Sequence, residues 1–359
     1  MTLYLDNIVY SLQTAGGISV YWYELSKRWL QTAANVFFIE RTDSNNIFRQ
    51  QFCIPKESII PDRQLPLILS RYLPVSFKST EQCIFHSSYY RTTSNKKALS
   101  IVTVHDFTYE KMRTGIKKTI HQTQKKVALD KASGIICISE NTKKDMLELY
   151  PYLSKKRIAV IYNGVSDSFF PIMNKEALTE DNSITKLTKE RYVLFIGSRD
   201  DYKNFPFAVR VMQALTDHKL VLVGGGALSS EEKNLLQQAL GNNWQHFIGV
   251  STDTLNKLYN FAQLLLYPSA YEGFGIPVIE AERAGCPVIA LNASSIPEIT
   301  GNQQLLLQKT DVQESIEKIN YLQSNRSKVI ANGIANSGKY SWDTCFDKVR
   351  DFYQEVLNS

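Results

Sequence analysis

Long hydrophobic runs are missing from these 359 residues: none approaches the roughly 20 apolar residues that crossing a bilayer takes. The opening residues, MTLYLDNIVYSLQTAGG, lack the basic start and small-residue cleavage site of a secretory signal. A cytosolic protein is expected, either free or peripheral on the inner face of the cell membrane. Cysteine is scarce. Cys53, Cys83, Cys137, Cys286 and Cys345 are odd in number, widely spaced and mostly set in apolar strands, so they suggest neither disulfides nor a zinc site and read as core residues. There is no Asp-x-Asp triplet and no histidine cluster, so no metal and no bound cofactor are expected. A nucleic-acid reader motif and a periodic aromatic and basic stripe are also absent, which sets nucleic acid aside as a partner.

What the chain does have is enough length for about two domains and two sizeable cores, with an ordinary 43% of hydrophobic residues. Its net charge of +6 conceals an asymmetry. Residues 1–165 carry 23 Lys and Arg against 13 Asp and Glu, whereas the remainder carries 18 against 22. The basic half predicts an anionic partner, phosphate or lipid headgroups.

Short apolar stretches at residues 3–9, 36–40, 83–87, 101–105, 135–139 and 158–162 alternate with helical ones, the pattern of a doubly wound parallel sheet. A loop with Gly16 and Gly17 follows the first, where glycines let a ligand approach backbone. His105 and Asp106 stand at a strand's carboxyl end, a position that suits a site as well as a satisfied structural histidine. In the segment 111–131, Lys117, His121 and Lys125 recur every four residues with Lys118 and Lys126 close by, a positive face opposite Ile116, Ile120 and Val127. A solvated helix face and a surface for a pyrophosphate-linked lipid or an anionic membrane both fit that pattern. A polar, irregular stretch from about 163 to 189 reads as the interdomain linker.

The alternation restarts with a strand at 192–196 and a loop carrying Arg199 and Lys203. These cations stand at a strand end and a helix start, suited to phosphate oxygens or to salt bridges. Apolar residues at 221–223 lead into Gly224, Gly225 and Gly226, and a strand is expected at 247–250. Residues 333–339 nearly match a phosphate-binding loop. Tyr340 stands where a magnesium-ligating Ser or Thr is needed and a helical stretch precedes the segment, so ATP hydrolysis is rejected. A last helix begins near Trp342, with Phe346, Val349, Phe352, Tyr353 and Val356 at helical spacing.

The densest chemistry lies in YPSAYEGFGIPVIEAERAGCPV, residues 267–288. A short buried strand closes at Pro268, a glycine-rich turn follows, and Pro277 stands at a first helical position. The first turn of that helix directs backbone N–H groups at the loop, where an anion or sugar hydroxyls can be held, and Glu272 and Glu280 flank the place.

Glu272 and Glu280, with Gly-Phe-Gly-Ile-Pro between them, resemble the E-x7-E motif of the retaining glycosyltransferases of family 4. That resemblance implies the GT-B fold, two Rossmann-like α/β domains facing a central cleft. The domains would be 1–165 for the acceptor and 166–340 for the nucleotide-sugar donor, with a helix at 341–359 returning to the first. It also implies that Glu272 contacts donor-sugar hydroxyls. The amides of Gly273, Phe274, Gly275 and Ile276 would contact sugar and diphosphate, and Glu280 the ribose. Arg199 and Lys203 would hold the diphosphate, Gly16 and Gly17 would lie beside it, and Gly249 and Val250 would meet the base. His105 would lie near the transferred sugar, and Asp106, Lys117, Lys118, His121, Lys125 and Lys126 on the acceptor or membrane side.

The function implied is metal-independent, retaining transfer of a hexose to a lipid-linked saccharide in bacterial surface polysaccharide synthesis. The string at residues 292–298 is most like enzymes using GDP-mannose. Alternatives are a UDP-sugar donor, a sugar-nucleotide epimerase of the same fold, and a noncatalytic sugar-nucleotide-binding subunit.

Overall fold

The computed structural model describes residues 1–173, 186–187 and 189–358, with the side chain of Lys117 excepted. About half of the expected linker, residues 174–185 and 188, thus lies outside the described residues. The chain forms two compact units, Met1–Gly164 with Trp342–Ser359, and Val165–Ser341.

The first unit is built on a seven-stranded parallel sheet of order β3-β2-β1-β4-β5-β6-β7. Its strands are β1 (Thr2–Asp6), β2 (Asn35–Glu40), β3 (Ile59–Pro61), β4 (Cys83–Ser87), β5 (Ala98–Val104), β6 (Gly134–Cys137) and β7 (Arg157–Val160). Its helices are α1 (Val9–Leu12), α2 (Gly17–Trp29), α3 (Leu67–Ser70), α4 (Thr108–Met112), α5 (Ile116–Lys131) and α6 (Glu140–Leu149). The central strands are buried on both faces, which is why they read as continuous apolar runs. Ser139 caps α6 by accepting the Thr142 N–H at 3.0 Å. The three-residue edge strand β3 was not expected from the sequence, being too short to show a period.

The terminal helix, Trp342–Leu357, belongs to this unit. It buries Trp342, Cys345, Phe346, Val349, Phe352, Tyr353 and Val356 on one face, and Tyr353 stacks on Trp29 at 5.4 Å between ring centres. Gly134 makes that docking possible, because a Cβ there would lie 2.9 Å from the Phe352 ring and from Val356. Under the helix, His86 contacts the Tyr353 hydroxyl through Nδ1 and the Thr103 hydroxyl through Nε2, at 2.9 Å for the latter. Burial lowers its pKa to about 3, so the ring stays neutral.

The second unit has a six-stranded parallel sheet of order β10-β9-β8-β11-β12-β13. Its strands are β8 (Tyr192–Ile196), β9 (Lys219–Val223), β10 (Trp244–Phe247), β11 (Leu264–Tyr267), β12 (Val288–Leu291) and β13 (Leu306–Leu307). Its helices, numbered in sequence, are α7 (Phe205–Gln213), α8 (Ser230–Leu240), α9 (Thr252–Phe261), α10 (Ile276–Arg283), α11 (Ile296–Ile299) and α12 (Val312–Ser337); the terminal helix is α13. Two expectations are corrected here. The strand expected at 247–250 ends at Phe247, since His246, Trp244 and Gln245 pair with β9 and the chain turns at Gly249, φ 65°. Cys53 is exposed, in a loop after a 3-10 turn, while the other four cysteines are buried.

Candidate active site

In an open parallel sheet a ligand crevice forms beyond the carboxyl ends of two neighbouring strands whose connections depart in opposite directions. In the second unit that place is β8 and β11, because β9 and β10 extend the sheet on one side and β12 and β13 on the other. The loop after β8 carries Lys203 and the loop after β11 carries Glu272, and the structure brings them together. Lys203 Nζ donates to Glu272 Oε1 and lies 3.4 Å from the Tyr267 hydroxyl and 5.2 Å from the Tyr267 ring centre. Burial first, and the nearby Glu272 carboxylate second, raise the Tyr267 pKa well above the usual tyrosine range, so its hydroxyl remains a donor.

Both loops are locked from behind. Asn204, left-handed at φ 54°, donates Nδ2 to the Pro268 carbonyl at 2.8 Å, and the Ala270 N–H donates to the Tyr202 carbonyl at 2.7 Å. The Glu272 N–H donates to Ser294 Oγ at 2.8 Å, and Ser295 Oγ lies 3.0 and 2.8 Å from the carbonyls of Glu272 and Phe274. Gly275 caps α10 at φ 103°, and a Cβ there would strike Ile296 at 2.7 Å and Ile299 at 2.9 Å. The helix starts at Ile276, so Pro277 takes its second position, still within the first turn that needs no N–H from it.

Glu280 lies along the same helix and is capped by Tyr259, whose hydroxyl donates to Oε2 at 3.1 Å. Burial raises its pKa to about 7, against a lowering effect of the Tyr259 hydrogen bond. Glu282 is different. Its oxygens accept from Thr300 Oγ1 at 3.0 Å, the Gly301 N–H at 2.8 Å and Asn336 Nδ2 at 2.8 Å, which ties α10 to α12 and makes it architectural.

Arg199 is held by the glycine turn that follows β9. It donates Nε to Glu232 at 2.7 Å and spans the carbonyls of Gly224, Gly225, Gly226 and Ala227 at 3.0 to 3.2 Å. Its guanidinium fills the space where a Gly225 Cβ would stand, which requires glycine there. Gly249 and Val250 follow β10, the edge strand two places from β8.

In the first unit, Gly16 caps α2 in extended backbone and its carbonyl accepts from Ser19 Oγ at 2.8 Å; Gly17 opens the helix. His105 follows β5, buried edge-on to Tyr21 at 5.0 Å. Burial first, with Lys125 adding and Asp106 opposing, lowers its pKa to about 4, so the imidazole is neutral at pH 7. Asp106 accepts the Thr108 N–H at 2.9 Å. Burial raises its pKa, but Lys125 and the Thr108 hydrogen bonds outweigh it and the net direction is down.

The expected positive face of α5 is corrected by the structure. Lys125 is fully buried, donating to Glu110 Oε2 at 2.9 Å and to the Asp106 carbonyl at 2.7 Å, with Phe107 packed on it at 4.3 Å. His121 is buried too, stacked on Tyr109 at 4.1 Å. Ile116, Ile120 and Val127, opposite that expected face, are exposed. The helix docks through His121, Lys125, Ala128 and Leu129, with Glu110 and the Asp106 carbonyl beneath Lys125. Lys118 is half-buried, Lys126 pairs with Asp130 on the surface, and the side chain of Lys117 lies outside the described residues.

The second-unit segment 177–336 matches the family model described as Glycosyl transferases group 1. Residues 15–169 match that described as Glycosyltransferase Family 4, and between them the two cover most of the chain. O-antigen chain mannosyltransferase B of Escherichia coli is 28% identical over 249 residues, 67% of this chain and 64% of that protein. O-antigen chain mannosyltransferase RfbU of Salmonella typhimurium is 29% identical over 216 residues, 58% of this chain and 57% of that protein. The chain therefore spans less than two thirds of the length of these curated relatives. Among solved structures, sucrose-phosphate synthase of Thermosynechococcus elongatus superposes with TM-score 0.75 at 18% identity, covering 100% of this chain and 99% of that one. HepE of Anabaena, solved in complex with UDP-glucose, superposes with TM-score 0.70 at 16% identity over 100% and 99%. At such identities these structures speak for the fold alone.

Proposed function

The chain belongs to the family 4 glycosyltransferases of GT-B fold, and from that membership we propose that it moves a hexose from a nucleotide sugar to a lipid-linked saccharide of a bacterial surface polysaccharide. Mannose from GDP-mannose is the first choice of donor, supported by the naming of two relatives as O-antigen mannosyltransferases.

The observation that carries this reading is the Lys203–Glu272 pair at the sheet's crossover point. Both groups retain some exposure, so a donor can replace each as the other's partner. The diphosphate would take Lys203, and the sugar hydroxyls would take Glu272. Glu280, with Tyr259 holding one oxygen, offers its other oxygen to the ribose. Gly249 and Val250 would serve the base, and Arg199 either holds the glycine turn that shapes the pocket or swings to the diphosphate.

Negative charge grows on the diphosphate as the sugar leaves, so Lys203 and the amides that open α10 favour the transition state over the ground state. These groups supply the positive charge without a metal. Retention of configuration would follow from front-face attack, with a donor phosphate oxygen taking the acceptor proton and Glu272 orienting the sugar. His105, neutral at pH 7, is suited to hydrogen-bonding a hydroxyl of the reacting sugars.

Incubating the purified chain with GDP-mannose or UDP-sugars, with and without lipid-linked saccharide, tests the proposal. Transfer with an α-configured donor giving an α-linkage is expected. Donor interconversion without acceptor, or binding without turnover, would replace it by an epimerase or a noncatalytic subunit. No described helix is long and apolar enough to cross a membrane, so a lipid-linked acceptor calls for attachment at the surface of the inner face.

A further inference from the structure

Among the described residues, Tyr90, Asn204 and Ser294 are the non-glycine residues held at positive φ. Such backbone is strained for a residue with a Cβ, and it persists only where the surroundings over-determine it. Asn204 belongs to the crevice already described, and asparagine tolerates the left-handed region through its short polar side chain. Ser294, at φ 48°, lies beyond the carboxyl end of β12, the strand beside β11. Glycine would hold the same turn without strain, so the hydroxyl is what a serine adds there. That hydroxyl accepts the Glu272 N–H at 2.8 Å.

The turn around Ser294 is fixed on both sides. The Asn292 N–H donates to the Leu307 carbonyl at the end of β13 at 2.8 Å, the Ala293 N–H to the Leu291 carbonyl at 2.8 Å, and the Ile296 N–H to the Ala293 carbonyl at 3.1 Å. Glu272 is thereby gripped at three points: its N–H by Ser294, its carbonyl by Ser295 and its carboxylate by Lys203. A ligand acts differently on each. A diphosphate that draws Lys203 away releases the carboxylate, and the main-chain bonds then decide where Glu272 points. Ser295 has one hydroxyl hydrogen to divide between the Glu272 and Phe274 carbonyls, so its grip on Glu272 is shared. The Ser294 bond is not shared in that way, because its donor is the Glu272 amide itself.

We propose that Ser294 is a positioning residue that holds Glu272 toward the sugar of a nucleotide-sugar donor. Recognition of the sugar then depends on Ser294, while recognition of the diphosphate, which falls to Lys203 on the loop after β8, does not. The strain at Ser294 is the cost of placing a hydroxyl where glycine would fit more easily. The inference rests on the proposed function in taking Glu272 as the sugar contact.

Two substitutions separate this role from a structural one. Ser294→Gly removes the hydroxyl and relieves the backbone, whereas Ser294→Ala removes the hydroxyl and keeps the strain. Ser294→Gly should therefore melt close to wild type and Ser294→Ala below it. Calorimetric titration into the full chain compares GDP-mannose with GDP, and UDP-glucose with UDP. Both variants are expected to bind the nucleotide sugar about tenfold more weakly than wild type and the bare nucleoside diphosphate equally well. Lys203→Ala, by contrast, should weaken both ligands. Wild-type binding of the nucleotide sugar by Ser294→Gly, with loss only in the less stable Ser294→Ala, makes the residue structural and overturns the inference. Equal loss of nucleotide sugar and nucleoside diphosphate overturns it too. A loss confined to the nucleotide sugar, with no transfer to any acceptor, leaves Ser294 in its role and overturns the transferase reading. A wild type that binds no nucleotide sugar overturns both.

Discussion

Each unit carries an ion pair at the crossover point of its sheet, and the two differ in how far water reaches them. In the first unit Arg91 bridges Asp6 and Asp62 at 3.1 and 2.9 Å, with side chains 2%, 0% and 5% exposed. Ser87 Oγ adds a hydrogen bond to Asp6 at 2.7 Å. In the second unit Lys203 and Glu272 are 11% and 14% exposed, and one partner is a single flexible ammonium. The first arrangement is sealed, with its charges satisfied by protein alone, and pins β1 to the loops beside it. The second can be opened by a ligand that supplies replacement partners. Topology marks both places equally, and solvent access separates scaffold from site.

The largest expected effect is on the sealed pair. Arg91→Met leaves two carboxylates buried without their cation, which should cost about 3–5 kcal/mol of stability by denaturant unfolding. A loss below about 1 kcal/mol would mean that water reaches Asp6 after all. Lys203→Ala should instead lower kcat about 100-fold to 1,000-fold while the melting temperature stays close to wild type. A large melting shift with modest kinetic loss would make the second pair scaffold as well.

A smaller effect is expected at Glu280. Its folded pKa of about 7 lies above that of an exposed glutamate, so its contribution to folding is present below the unfolded pKa and is lost as pH rises through about 7. Nucleotide binding runs the other way, because the ionised carboxylate is the acceptor for ribose hydroxyls. Affinity should fall as pH drops below about 7, and Glu280→Gln should flatten that profile. Tyr259→Phe removes the hydrogen bond that lowers the Glu280 pKa, so the same loss should move to higher pH, with affinity at neutral pH reduced about fivefold. An unchanged profile in Tyr259→Phe would separate the tyrosine from the ribose contact.

Much of this was legible in the sequence where pattern and chemistry coincide. Buried parallel strands announce themselves as apolar runs, and Glu272, Gly275 and Glu280 stand in a spacing that few loops need. The pairing of Lys203 with Glu272 was not legible, because it depends on β8 lying beside β11. Ser294 and Ser295 clamp the loop through bonds to its backbone, and a serine in sequence carries no sign of which carbonyl it will meet. Tyr259 was missed for the same reason. The α5 helix misled because hydrophobic periodicity assumes that apolar residues face inward. Glu110 of α4 offered Lys125 a buried partner, and that ion pair, with the Asp106 carbonyl and the buried Ala128 and Leu129, sets the inward face.

The central claim is that the opened pair is a nucleotide-sugar site, and calorimetric titration of GDP-mannose and UDP-sugars into wild type and Glu272→Ala tests it most directly. At least one donor should bind the wild type and bind Glu272→Ala about tenfold or more weakly, with both proteins melting at the same temperature. Equal affinity of every donor for the two proteins would contradict the account.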